Sequence, residues 1–197
     1  MFLLSFADLK PLPRAPVKDS EMLEYLTYLA DEKSSCDISF VPSLVSFATL
    51  KQKKGYSDKG LGKTVSSGLE EVRRALKLSR TVAVLLNTYT ELQNCPDRDM
   101  MGHYRLLYIC KDEDNELEFF LFDPSQEPYQ WTHKVVAALI RGLRKEKQRL
   151  LLLPGKQRTG TVTCGLWVLR HFAEICASTD ARRRLKQSGS LTPLNYK

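Results

Sequence analysis

Cys164, His103, Asp123 and Gln157 are residue types that together can hydrolyse an amide. A thiol does this only with three kinds of help: a lowered pKa, a base within reach, and donors for the oxyanion that forms. Residues 160–163 read as a polar turn, so Cys164 is expected at the first turn of a helix. Unpaired amides and the positive dipole end favour a thiolate there. Gly165 leaves space beside the sulfur. His103 stands at the start of an apolar strand, after a loop over residues 93–102, where a side chain can face a cleft while the strand anchors it. Asp123 closes the next strand, which Pro124 is expected to stop. If the two strands form an antiparallel hairpin, the start of one lies beside the end of the other, which brings His103 and Asp123 together. A carboxylate so placed fixes the imidazole tautomer and stabilises the imidazolium. Gln157, seven positions before Cys164, offers an amide N–H to the oxyanion alongside the backbone N–H of Cys164. This chemistry calls for no metal and no cofactor.

The elements that must position these residues are legible as periodicities. Residues 1–19 carry Pro11, Pro13 and Pro16 and read as an extended arm, leaving residues 20–197 as one domain. Met22, Leu23, Leu26 and Leu29 then recur at helical spacing, and a second helical stretch is expected over 43–50, after a short extended piece over 36–41. Residues 51–63, rich in Lys and Gly, read as an exposed loop, followed by a helix whose start is marked by Ser67 and Glu70 and whose inner face carries Leu69, Val72 and Leu76. Strands are expected over 81–87, 104–110 and 116–122, the last two joined by the acidic turn 111–115. Val135, Leu139 and Leu143 mark a further helix, and residues 149–153 a further strand. Over 164–177, Leu166, Leu169, Phe172 and Cys176 form one stripe of a core-facing helix. The predicted class is α+β, with helices first, a mostly antiparallel sheet in the middle and a central helix behind it.

Composition narrows the function. The chain of 197 residues, 43% apolar, is long enough for one sizeable core, and its apolar runs fall short of the roughly 20 residues a membrane-crossing helix needs. Five cysteines at irregular spacing, with no Cys-x-x-Cys pair, point to free thiols in an intracellular protein rather than to a disulfide framework or a zinc site. The net charge of +7 favours acidic partners without requiring them. Gly62-Lys63-Thr64 imitates the end of a phosphate-binding loop, but Ser57 stands where that motif needs glycine and Lys51, Lys53 and Lys54 where it needs a buried strand. His133 falls on the helix after Asp123, and His171 lies about two turns beyond Cys164, roughly 10 Å along the axis, so neither suits the role of base. Cys36, Cys95, Cys110 and Cys176 lack a framing glutamine and glycine and read as buried thiols. Trp131 and Trp167 read as core aromatics, and the basic stretches 141–149 and 182–186 as solvated helix faces.

The order His103-Tyr104, then Leu121-Phe122-Asp123, then Gln157 with six residues between it and Cys164-Gly165-Leu166, resembles the superfamily of adenain, the adenovirus protease, and the SUMO proteases. The likeness covers residues 81–177. It implies a papain-like cysteine protease fold, with His103, Asp123, Gln157 and Cys164 as base, orienting acid, oxyanion donor and nucleophile. Tyr104 replaces the tryptophan usual after the histidine. The gap between Gln157 and Cys164 looks like adenain, whereas the long segment ahead of His103 looks like the SUMO proteases. The resemblance implies an endopeptidase cutting protein substrates at small, glycine-containing sites, with maturation of viral structural precursors favoured. Removal of SUMO or other ubiquitin-like modifiers is the alternative, and acetyl transfer by a same-fold effector a further one. It also implies non-specific DNA as a partner of the basic surface, and a place in the host nucleus or cytoplasm or within a virion. No membrane partner is expected.

Overall fold

Strand alternation and helix stripes fold as two apolar layers on either side of one sheet. The computed structural model describes residues 19–49, 59–90, 102–125, 130–143, 150–157, 163–188 and 192–194. In chain order the elements are α1 (Asp19–Glu32), β1 (Ile38–Thr49), α2 (Lys59–Leu78), β2 (Thr81–Thr90), β3 (Gly102–Lys111), β4 (Leu117–Ser125), α3 (Gln130–Leu143), β5 (Leu150–Gln157), α4 (Cys164–Cys176), α5 (Ala181–Gln187) and β6 (Thr192–Leu194). The six strands lie side by side in chain order. Three of the five pairings are antiparallel, while β1 with β2 and β4 with β5 run parallel. The mostly antiparallel α+β class read from the sequence is thus the observed one.

Ala83, Leu85, Leu106, Tyr108, Phe120 and Phe122 share one face of the sheet, covered by Met22 and Leu26 of α1 and by Val168, Phe172 and Ile175 of α4. Val82, Val84, Leu107, Ile109, Phe119 and Leu121 share the other, covered by Val72 and Leu76 of α2 and Val136, Leu139 and Ile140 of α3. The period of two sends neighbours to opposite layers, so β2, β3 and β4 are buried on both sides. Phe172 is fully buried between Phe40 and Tyr108, at ring separations of 5.9 and 6.4 Å, a setting in which truncation to alanine costs about 3–5 kcal/mol. It locks the central helix α4 to the sheet.

The β3–β4 hairpin is antiparallel as expected, with Lys111 opposite Leu117 and Leu106 opposite Phe122. Its turn is held by Asp112, whose Oδ1 accepts from the backbone N–H groups of Asp114 and Glu116 at 2.9 and 2.8 Å. Asn115 supplies the left-handed residue, at φ 63°.

Several expectations are corrected. The helix expected over 43–50 does not form, because residues to Thr49 belong to β1 and Val45 to Thr49 pair with Leu86 to Thr90 of β2. A strand partner overrides a local helical spacing. β1 is an edge strand, and its register slips between Val41 and Val45, around Pro42, the kind of place a sheet tolerates proline. Helix α2 starts at Lys59, so Ser67 and Glu70 lie in its interior and make no capping box, and Gly62-Lys63-Thr64 lies within the helix. The spacing Leu61, Val65, Leu69 carries the apolar stripe back by two turns. Pro124 does not stop β4, which runs to Ser125. Pairing with β3 ends at Phe122, so the missing N–H interrupts no ladder bond on that side.

On α4 the buried stripe is Cys164, Gly165, Val168, Phe172, Ile175 and Cys176, with Leu166 and Leu169 only half-buried. Helix α5, which carries the basic stretch read as a helix face, and strand β6, which was not expected, follow it. In α5, Arg182 and Lys186 pair with Glu118 of β4 and Arg184 with Glu174 of α4, while Arg183, Arg184 and Lys186 are exposed as expected of a solvated face. The expected arm over 1–19 lies outside the described residues except for Asp19, which opens α1. Also outside them are most of the loops expected over 51–63 and 93–102, residues 144–149 of the first basic stretch, and the turn ahead of Cys164 except Thr163.

Candidate active site

The hairpin register decides which side chains meet. Extending the β3–β4 pairing one step beyond Leu106 and Phe122 sets Arg105 opposite Asp123, with His103 two residues further along the same face of β3. His103 Nε2 lies 2.7 Å from Asp123 Oδ1. Arg105 donates from Nε to Asp123 Oδ2 at 2.6 Å. Among the described residues, the Asp123 carboxylate thus meets His103 through one oxygen and Arg105 through the other. The Asp123 and Arg105 side chains are 5% and 0% exposed, against 18% for His103, so the His103 ring is the member of the trio that reaches solvent.

The interaction with His103 is the largest influence that lowers the Cys164 thiol. With Nε2 on Asp123, the ring nitrogen left for sulfur is Nδ1. Burial on its own would push the Cys164 thiol up. The hydrogen bond from His103, the backbone N–H groups of Tyr104 and Gly165, and the charge of His103 outweigh burial and hold the thiol below its ordinary value. His103 shows the complementary shift: burial pulls it down, but the bonds to Asp123 and Cys164 leave it raised. Asp123 is pushed up by burial and brought below the usual carboxylate range by His103 and Arg105. A thiol lowered and an imidazole raised, each by the other, favour a thiolate–imidazolium pair, which is a nucleophile coupled to a proton donor.

Local structure explains the placement. Cys164 is the first residue of α4, where amides and dipole favour negative charge, and the Trp167 N–H to Thr163 carbonyl bond of 3.1 Å opens the helix ladder there. Gln157 is the last residue of β5, paired with Ser125, and its backbone stands just past the irregularity between Asp123 and Ser125. Its side chain lies outside the described residues.

His171, by contrast, is part of the core. Its ring stacks on Phe122 at 3.9 Å and 9°, and its Nδ1 meets the Tyr108 hydroxyl at 2.8 Å. Burial holds its pKa at about 3, so it is neutral. Cys110 and Cys176 are buried, and burial pushes both thiols up to about 12. Cys36 is half-buried, and Cys95 lies outside the described residues. Trp167 packs at the margin of the core with the Arg170 guanidinium 5.7 Å from its ring. His133 and Trp131 lie on α3, with side chains outside the described set. No cluster suited to a metal occurs among the described residues.

Arg105 is the site residue that sequence reasoning missed. The signal was present, since Arg105 is a charge inside an otherwise apolar strand, two residues after His103 and in register with Asp123.

No protein-family model matches the chain, and no curated protein does. Solved structures do match. The Legionella pneumophila effector protein RavZ superposes with a TM-score of 0.51 at 12% identity, over 84% of this chain and 56% of that one. The chain thus shares its fold with that effector protein. The SUMO protease Ulp1, with its catalytic cysteine oxidised to a sulfenic acid, gives 0.49 at 15% identity over 84% of this chain and 68% of its own. AvrA, solved with IP6 and CoA, gives 0.47 at 17% over 80% and 49%. The chain thus spans little more than half the length of the RavZ chain it matches. At such identities the likeness is one of fold, and the chemistry rests on the site itself. Among the described residues, no helix is long and apolar enough to cross a membrane.

Proposed function

We propose that the chain is a cysteine peptidase in which Cys164 is the nucleophile, His103 the base and acid, Asp123 the residue that orients His103, and Gln157 an oxyanion donor. The observation that carries the proposal is His103 bonded to Asp123 and acting on a Cys164 thiol whose pKa it lowers, at the start of α4. In this mechanism the Cys164 sulfur attacks the scissile carbonyl carbon, and the carbonyl oxygen takes up the negative charge, facing the Cys164 N–H and the Gln157 amide. His103 gives its proton to the amine as the C–N bond breaks, leaving an acyl-enzyme. It then takes a proton from the water that attacks the acyl-enzyme, returning the thiol and releasing the acid. Asp123 keeps the ring oriented throughout and remains ionised.

The substrate is a protein cut at a small-residue, glycine-containing site. Within that class the reading is a maturation protease for viral structural precursors, supported by the six residues between Gln157 and Cys164. Deconjugation of ubiquitin-like modifiers is the second reading, supported by the long segment ahead of His103. Digestion of a peptide library by the parent, Cys164→Ser and His103→Ala proteins tests the site. The parent should cleave and both variants should lose cleavage by about 10³-fold or more. Equal cleavage by all three would remove the assignment. Labelling by a ubiquitin-like electrophile, set against cleavage of glycine-containing peptides, separates the two readings of substrate.

A further inference from the structure

A guanidinium with no exposed surface is costly to keep in a core, and an apolar side chain of similar volume often serves stability as well or better. Arg105 occupies such a position, and its Nε is directed at the one oxygen of Asp123 that His103 does not use. Its Nη1 also reaches the carbonyl oxygen of His103 at 3.5 Å, so the same side chain spans the acid and the backbone that carries the base. We propose that Arg105 is a positioning residue of this site: it clamps the Asp123 carboxylate so that Oδ1 stays on His103, and its charge sets how tightly His103 holds its proton. This rests on the catalytic reading of Cys164 and His103 given above.

The charges support the second half of the proposal. Asp123 and Arg105 cancel, and the Cys164–His103 pair is neutral whether as thiol and imidazole or as thiolate and imidazolium. With Arg105 neutral, a buried carboxylate would face the imidazolium without that balance and hold its proton more firmly. The leaving amine needs that proton, so a firmer hold slows acylation. Among the described residues, the ionisable groups acting on His103 are Arg105 on its own strand, Asp123 from β4 and Cys164 from α4. Asp123 faces His103 and Arg105.

The test uses the full chain with Arg105→Gln, Arg105→Lys, Asp123→Asn and the Arg105→Gln/Asp123→Asn double variant. Iodoacetamide alkylation of Cys164, followed by mass spectrometry across pH, reads the dyad without any substrate, so it stands even if the substrate class is wrong. In Arg105→Gln the upper inflection of the profile should move up by about half a unit or more. In Arg105→Lys, which keeps the charge and loses the directed Nε bond, the inflection should stay while peptide cleavage falls about tenfold. Placed on Asp123→Asn, Arg105→Gln should change cleavage less than about twofold, because its route of action is already gone.

An unmoved inflection in folded Arg105→Gln would overturn the proposal. So would a loss in the double variant equal to the product of the two single losses, which is the signature of a purely structural residue. If Arg105→Gln does not fold, cleavage by folded Arg105→Lys at the parent level overturns it on its own. A parent profile with no inflection at all would instead remove the Cys164–His103 reading, and the two failures are distinguishable.

Discussion

His171 makes stability pH-dependent in a direction and size that can be worked from its surroundings. The ring is stacked flat on Phe122, tied through Nδ1 to the Tyr108 hydroxyl, and held by burial and by the charge of Arg184 at a pKa of about 3. In the unfolded chain the same imidazole titrates near 6.5. The folded value is the lower one, so between the two values the unfolded chain binds more protons. Stability is therefore complete above about pH 6.5 and declines as pH falls. From about pH 7.5 to pH 5 the loss due to this residue is roughly 2 kcal/mol, the free energy of protonating a group 1.5 units below its unfolded pKa.

His103, raised in the folded protein, acts in the opposite sense, but it is common to the parent and to a His171→Gln variant and cancels in their difference. His171→Gln keeps a partner for Tyr108 and loses the stacked ring, so it should be less stable than the parent at pH 7.5 by about 1 kcal/mol. By pH 5 the order should be reversed or level. Urea unfolding of both proteins at several pH values supplies the measurement. Stability curves that run parallel from pH 7.5 to 5 would refute the assignment of His171 as a buried neutral histidine.

Two further outcomes follow from close contacts and thiol environments. A Cβ on Gly155 would lie 2.4 Å from both the Cα and the carbonyl oxygen of Pro124, backbone that cannot swing aside. Gly155→Ala should therefore cost about 1–3 kcal/mol and, by disturbing β4 beside Asp123, lower kcat/KM, so an unchanged Tm would count against this packing. Iodoacetamide near neutral pH should modify Cys164 well before Cys110 and Cys176, whose thiols are pushed up to about 12, and His103→Ala should abolish that preference. Labelling of Cys110 or Cys176 at the Cys164 rate in the folded parent would contradict it.

Much of this was determined by the sequence alone, wherever the signal is local. The strands of the β3–β4 hairpin announce themselves by apolar runs around an acidic turn, and His103 and Asp123 fall at the ends that an antiparallel pair must join. Cys164 opens α4 where a polar run of the sequence gives way to an amphipathic one. Local signals failed where a distant partner decides the outcome. Residues 43–49 carry a helical spacing, yet they extend because the edge of β2 offers a ladder of backbone hydrogen bonds. Helix α2 starts two turns before its apparent cap, since a continuous apolar stripe outweighs a capping pattern.

Arg105 shows the same division within the site. The sequence displays a charge in an apolar strand, but only the register shared with β4 turns it into a partner for Asp123. Residue types and order fixed which chemistry is available. The tertiary structure decided the protonation states, because burial and the distances between charges exist only once β3, β4 and α4 have met.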